Sequence, residues 1–109
     1  MPGKTVIQTD QAIEFMETMD PLSQRKYAAI LHLLAEQGFL RAPRAEKIEG
    51  QQNLFAFRIL TDGNYRYFYF YCYDAGTTVY VLSGYSKKSN DIPRREIDRA
   101  LQIRKDLGL

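Results

Sequence analysis

Between residues 65 and 73 the chain places tyrosine at every second position: Tyr65, Tyr67, Tyr69, Tyr71 and Tyr73, with Arg66, Phe68, Phe70 and Cys72 between them. A period of two sends alternate side chains to opposite faces of a strand, so the run reads as a strand with a tyrosine face and a phenylalanine face. Leu54 to Leu60 precedes it across Thr61-Asp62-Gly63-Asn64, and Thr77 to Tyr85 follows across Asp74-Ala75-Gly76. Three β-prone runs joined by tight turns predict an antiparallel meander. In the first run Phe55, Phe57 and Ile59 share one face, and Leu54, Ala56, Arg58 and Leu60 the other. Phe68 and Phe70 are expected to face helices, with Arg66 at the rim of that side or re-aimed by a bulge. The tyrosine face suits a partly wet groove, a base-stacking platform or a docking surface, with half-burial of β-prone residues as the plain alternative.

Helical spacing governs the N-terminal part. Thr5 to Gln8 is β-prone and is expected as a first strand at a sheet edge. A helix is predicted after Asp10 or Thr9 as N-cap, with Ala12, Ile13, Phe15, Met16 and Met19 as its apolar stripe. Asp20-Pro21 ends it and opens a second helix, since proline is tolerated in a first turn. Tyr27, Ile30, Leu31, Leu34 and Ala35 recur along that helix, and Gly38 is its C′ residue. The two helices are expected to form an antiparallel hairpin over one sheet face. Phe39 to Asn53 reads as loop and Ser86 to Ile92 as connector. Pro93 to Leu107 reads as a last helix stopped by Gly108. The fold class is therefore α+β, in (β)ααβββα order, as one domain over residues 1–109.

Net charge over the 109 residues is only +2, but residues 1–84 hold 8 basic and 9 acidic residues, whereas residues 85–109 hold 7 and 4. The positive charge gathers at the C-terminal end, where a polyanion such as RNA is the natural partner. Cys72 is the single cysteine, so no internal disulfide forms and a reducing cytoplasm fits. No signal peptide or membrane span is visible. His32 is the only histidine, which excludes a histidine-pair nuclease; no metal site, cofactor or nucleotide fingerprint is supported.

Residues 54–104 carry a more specific pattern. Leu54-Phe55-Ala56-Phe57-Arg58 is followed by Tyr65-Arg66 and the aromatic run Tyr67 to Tyr71. Then come Leu82-Ser83-Gly84-Tyr85-Ser86-Lys87-Lys88-Ser89, Pro93, Glu96-Ile97, Ala100 and Arg104. In this order the set resembles the RelE/HigB-like toxins of toxin–antitoxin systems, in their phage-derived Gp49-like branch. The chain departs from that pattern with Phe55-Ala56 where the family usually has Trp-Glu. It also has Tyr85 where phenylalanine is frequent, and Ile92 where threonine often precedes the helix proline.

The resemblance implies a ribosome-dependent mRNA endoribonuclease. Its chemistry would be metal-free attack of a ribose 2′-hydroxyl on the adjacent phosphate, giving a 2′,3′-cyclic phosphate and a 5′-hydroxyl end. Lys87 or Lys88 is expected as base or phosphate clamp, a lysine among cations having a lowered pKa. Arg58 and Arg66 are expected to stabilise the transition state, because a guanidinium fork matches phosphate oxygens. Tyr85 or Tyr67 would stack on a base or donate a proton, with Tyr69 beside them. Arg94, Arg95 and Arg99 would contact RNA backbone, which positions without reading sequence. The implied partners are a helix-turn-helix antitoxin, the ribosome with its mRNA, and operator DNA reached through the antitoxin. Structural readings compete at each position: Lys87-Lys88 as a solvated loop, Arg58 and Arg66 paired with Glu46, Glu49 or Asp62, and the helix arginines as a charged outer side. The alternative function is a non-enzymatic RNA- or protein-binding module on the same fold; a phage-derived assembly protein is a weaker third.

Overall fold

The computed structural model describes residues 3–41, 44–60, 67–87 and 93–109. The elements run β1 (Thr5–Gln8), α1 (Asp10–Glu17), α2 (Pro21–Gln37), β2 (Ala45–Lys47), β3 (Leu54–Leu60), β4 (Tyr67–Asp74), β5 (Thr78–Lys87) and α3 (Arg94–Asp106). The sheet order is β1-β5-β4-β3-β2. β3, β4 and β5 form the expected antiparallel meander, and β1 adds to β5 in parallel at one edge. The α+β class and the helix–helix–meander–helix order hold.

The helix ends follow their local chemistry. Thr9 caps α1, its hydroxyl accepting from the Ala12 amide at 3.1 Å and donating to the Leu82 carbonyl at 2.7 Å. Asp20 caps α2 by accepting from Ser23 N, and Pro21 occupies the first turn. Gly38 ends α2 in the left-handed conformation at φ 78°, with its amide donating to the Leu34 carbonyl. Pro93 precedes α3 with no side-chain capping bond.

Three sequence expectations change. The segment read as loop from Phe39 to Asn53 contains β2, a three-residue edge strand pairing Ala45, Glu46 and Lys47 with Phe57, Ala56 and Phe55. Ala-Glu-Lys has little β-propensity; pairing to β3 imposes the conformation. β5 extends two residues beyond Tyr85, to Lys87, because β4 supplies partners up to Tyr67. The sheet is mixed, through β1. The turn expected at residues 61–64 falls outside the described residues.

Both sheet faces are covered. On one face Phe57, Ile59, Phe70, Cys72, Val79 and Val81 pack with Ala12, Met19, Tyr27, Ile30 and Leu34 of the helical pair and its connection. On the other, Leu54, Ala56, Tyr69, Tyr71 and Leu82 pack with Ala100 and Ile103 of α3. Phe68 and Phe70 thus face α1 and α2 as expected, and the tyrosine stripe faces α3. A register shift lies between Tyr71, opposite Ser83, and Cys72, opposite Val81. Leu82 is the extra residue of a β-bulge. Val81 and Gly84 consequently share the α1–α2 face, and Tyr85 shares the α3 face with Tyr80 and Leu82.

Gly84 has no room for a side chain. A Cβ there would stand 2.5 Å from Phe15 Cδ2 and 2.8 Å from Phe70 Cε2. Gly84→Ala is expected to destabilise the fold by about 1–3 kcal/mol through overpacking. Denaturant titration checks this, with the midpoint falling and the slope unchanged.

Candidate RNA-contacting face

Paired residues in adjacent strands share a face, so the register assembles the site directly. Arg58 stands opposite Tyr69, and Tyr69 opposite Tyr85. One step toward the sheet end, Leu60, Tyr67 and Lys87 form the next row. Arg58, Tyr67, Tyr85 and Lys87 therefore meet on the α3 face, at the end of the sheet where β5 leads toward α3. Leu60 is half exposed, at 50%. Arg66 and Lys88, the other two expected cationic residues, lie outside the described residues.

The aromatic rings form the floor. Tyr85 stacks between Tyr69, at 5.4 Å between centroids and 17°, and Tyr71, at 5.7 Å and 15°. The Tyr71 hydroxyl donates to the Tyr85 hydroxyl at 3.3 Å. The Arg58 guanidinium lies over the Tyr67 ring, 5.4 Å from its centroid, a cation–π contact that steadies a cation without neutralising it. No ion pair joins Arg58 to a carboxylate among the described residues, so the expected pairing with Glu46 or Glu49 is not formed. Lys87 is half-buried and has no ion pair among the described residues.

Tyr69 departs from its expected role. It is 0% exposed, so neither ring face is open to a base; it is part of the floor under α3. The sequence placed Tyr69 among the RNA-contacting residues because period-two patterning gives the face and not what covers it. Its hydroxyl is buried and has no hydrogen-bond partner among the described residues. Burial raises the Tyr69 pKa, and the nearby Arg58 cation opposes the shift although donor–acceptor geometry is not satisfied. Burial likewise pushes the Tyr71 hydroxyl far up, helped by the bond to Tyr85. Tyr85 is raised by burial first, with the Tyr71 bond acting against it and Tyr69, Glu96 and Glu46 adding to it. All three phenols hold their protons at neutral pH. They can donate a proton; they cannot serve as bases.

The arginines of α3 line its outer side. Arg94 and Arg95 are exposed; Arg94 Nε meets Asp98 Oδ1 at 3.0 Å, and Arg99 Nη1 lies 4.0 Å from Glu96 Oε1. Such one-turn surface pairs are weak and leave these cations able to exchange partners. Glu96 itself is largely buried and its charge reaches the Tyr71 and Tyr85 hydroxyls. Farther along, the Arg104 guanidinium sits 4.3 Å from the Tyr73 ring centroid and pins the helix to the other end of the tyrosine stripe. Sequence reasoning passed over Glu96 and Tyr71 as site neighbours, and only the bulge in β5 brings Tyr85 between them.

A separate cleft of about 640 Å³ runs along the β2 edge, lined by Gly38, Phe39, Glu46, Gln52, Phe55 and Asp74 among others. None of the expected catalytic residues lines it. Asp74 at its margin is bound by Lys4 at 2.8 Å.

With the geometry in place, known proteins supply a frame. A family model described as phage derived protein Gp49-like matches residues 14–105. The chain belongs to this Gp49-like family. No curated protein matches it in sequence. In three dimensions it resembles a mutant of the Escherichia coli toxin RelE in the free state, with TM-score 0.66, 12% identity, and coverage of 92% of this chain and 96% of that one. It also resembles the archaeal RelE of a RelE–RelB complex from Pyrococcus horikoshii, with TM-score 0.58, 15% identity, and coverage of 84% and 100%. The isolated E. coli RelE toxin gives 0.55 at 12% identity, covering 92% and 98%. At these identities the likeness establishes a shared RelE-like fold. Among the described residues of this Gp49-like chain no helix is long and apolar enough to cross a membrane.

The raised phenols and the buried Cys72 thiol, also pushed up by burial, set an alkaline limit. Their folded pKa values exceed the unfolded ones, so their contribution is complete below about pH 8.5–10 and is lost as pH rises beyond it, when only the unfolded chain releases these protons. Stability measured by denaturant is expected to stay level in this respect near neutrality and fall above about pH 9. Tyr71→Phe should make that fall shallower; an equally steep fall would refute the assignment.

Proposed function

We propose that this Gp49-like chain is, over residues 1–109 as one domain, the toxin of a toxin–antitoxin pair and a ribosome-dependent mRNA endoribonuclease. The observation that carries this reading is the convergence of Arg58, Tyr67, Tyr85 and Lys87 at one end of the α3 face of a RelE-like sheet. Arg66 and Lys88 belong to the same proposed set by their place in the family pattern.

The ribose 2′-oxygen attacks the adjacent phosphorus as its proton leaves. The O2′–P bond forms, the P–O5′ bond breaks, and the departing 5′-oxygen takes a proton. Arg58 and Arg66 stabilise the extra negative charge on the phosphorane. Lys87 or Lys88 accepts the 2′ proton or clamps the phosphate. Tyr85, whose raised pKa keeps it protonated, donates toward the 5′-oxygen. Tyr67 offers the half-exposed ring on which a base stacks, and Arg94, Arg95 and Arg99 hold RNA backbone. The ribosome orients the message, which suits a site so poor in acid–base groups. The partner is a helix-turn-helix antitoxin, through which operator DNA is reached, and the setting is the cytoplasm. The RelE–RelB pairing of the archaeal relative supports the antitoxin.

One observation favours the second reading, a degenerate toxin that only binds: Ala56, where the family usually carries glutamate, is buried and apolar. Induction of the wild-type chain in cells, with mapping of mRNA 5′ ends, separates the two. Growth arrest with new in-frame cuts in translated messages is expected. Arg58→Ala and Lys87→Ala should each lower cleavage by about 100-fold or more while melting as the wild type does. Folded protein without arrest or new ends would leave the binding module.

A further inference from the structure

We propose that Glu46, from the edge strand β2, is a positioning residue that orients the Arg58 guanidinium, supplying from the neighbouring strand the carboxylate that Ala56 lacks. This deepens the nuclease reading above and rests on it for the catalytic consequence. Glu46 is the register partner of Ala56, and Ala56 that of Tyr71. Arg58 lies two residues along β3, on the same face. Diagonal neighbours of this kind have Cα atoms about 7–8 Å apart, within reach of two long side chains.

Among the described residues neither Glu46 nor Arg58 forms an ion pair, and Glu46 is exposed. Their charges nevertheless converge on one atom: the buried Tyr69 hydroxyl, without a hydrogen-bond partner among the described residues, feels the Arg58 cation and the Glu46 carboxylate with opposite sign. Glu46 acts on the Tyr85 hydroxyl as well. The present hold on Arg58 is the Tyr67 ring, 5.4 Å away. A ring face fixes the distance of a guanidinium but leaves it free to turn; a carboxylate on one edge of the fork fixes which edge is offered to phosphate.

Position 56 itself is a poor place for an acid here. Ala56 is 1% exposed beside Tyr71, Tyr69 and Leu82, where a carboxylate would be stripped of water. The edge strand places the same charge one strand over, in contact with solvent. Glu49 lies beyond the end of β2, and Glu96 reaches the opposite side, toward Tyr71 and Tyr85.

The test is a double-mutant cycle of Glu46→Gln and Arg58→Ala in single-turnover cleavage of mRNA on programmed ribosomes, with Glu46→Asp as the conservative variant. Because Glu46 is exposed, the glutamine variant should melt as the wild type does. In the Arg58 background Glu46→Gln is expected to lower kcat by up to about 100-fold with KM little changed. Glu46→Asp should recover part of the loss, and Glu46→Gln should cost nothing further once Arg58 is alanine. Full activity of Glu46→Gln, or an equal loss in the Arg58→Ala background, overturns the proposal. A readout independent of turnover is the Arg58 Nε–Hε NMR signal, with inorganic phosphate added as probe. Glu46→Gln should shift it and speed its exchange while leaving the Arg104 signal in place. An inactive wild type with this coupling intact would sink the nuclease reading and keep the positioning role; an unmoved Arg58 signal would sink the positioning role whatever the activity.

Discussion

The burial of both faces of β4 is the constraint on which the rest of the molecule depends. This strand is central in the sheet, and Tyr69, Phe70, Tyr71 and Cys72 are each fully buried. A strand so placed needs an apolar layer on each side. α1 and α2 cover the phenylalanines, with Phe57 stacked on Phe70 at 5.2 Å and Tyr27 packed against both. α3 covers the tyrosines. Because tyrosine carries a hydroxyl, the second layer cannot be uniformly dry, and its polar ends must be paired or left at a seam. The Tyr71–Tyr85 bond, Glu96 and the Tyr69 hydroxyl, which has no partner among the described residues, mark that seam.

The cationic groups lie at one end of the tyrosine stripe, Arg58 opposite Tyr69 and Lys87 opposite Tyr67. The rigid parts are rings and backbone; the cationic ends, Arg58 and Lys87, are long chains rooted on β3 and on the last residue of β5. Under the proposed function, this division suits a substrate delivered in a fixed pose by another machine. In that proposal the sheet is a stable floor and the cations adapt to a phosphate. Discrimination between messages would then fall to the delivering machine, since contacts to phosphate carry no sequence information.

Much of this was legible because patterning was strong. The alternation of Tyr65 to Tyr73 assigned both faces of β4, and Asp20-Pro21 with Gly38 bounded α2 to the residue. What covers each face was not legible. Tyr67 and Tyr69 look alike in sequence, yet one is half-exposed and the other is sealed under α3. β2 was missed because three residues of low propensity acquire their shape only from β3. With β2 unseen, Glu46 stayed a loop residue, and its placement opposite Ala56 could not be foreseen. Arg58 and Lys87 were picked out by their order along the chain, and their placement on one face depended on a register no local signal encodes.

The β-bulge at Leu82 has a consequence for how such a surface can change over generations. By adding one residue it reverses the phase of everything that follows in β5, which is why Tyr85 and Lys87 share a side with Arg58. The Thr9 hydroxyl ties down the Leu82 carbonyl at that point, so the N-terminus of α1 guards the count. Loss of Leu82 would close the ladder without a bulge, Val81 opposite Cys72 and Ser83 opposite Tyr71, and leave Tyr85 and Lys87 on the side of Arg58. One residue added between the bulge and Tyr85 would instead turn Tyr85 and Lys87 inward, toward Phe15 and Phe70. The surface is thus written partly in arithmetic: a lineage could silence it by one in-frame codon insertion there without altering any of the residues that form it.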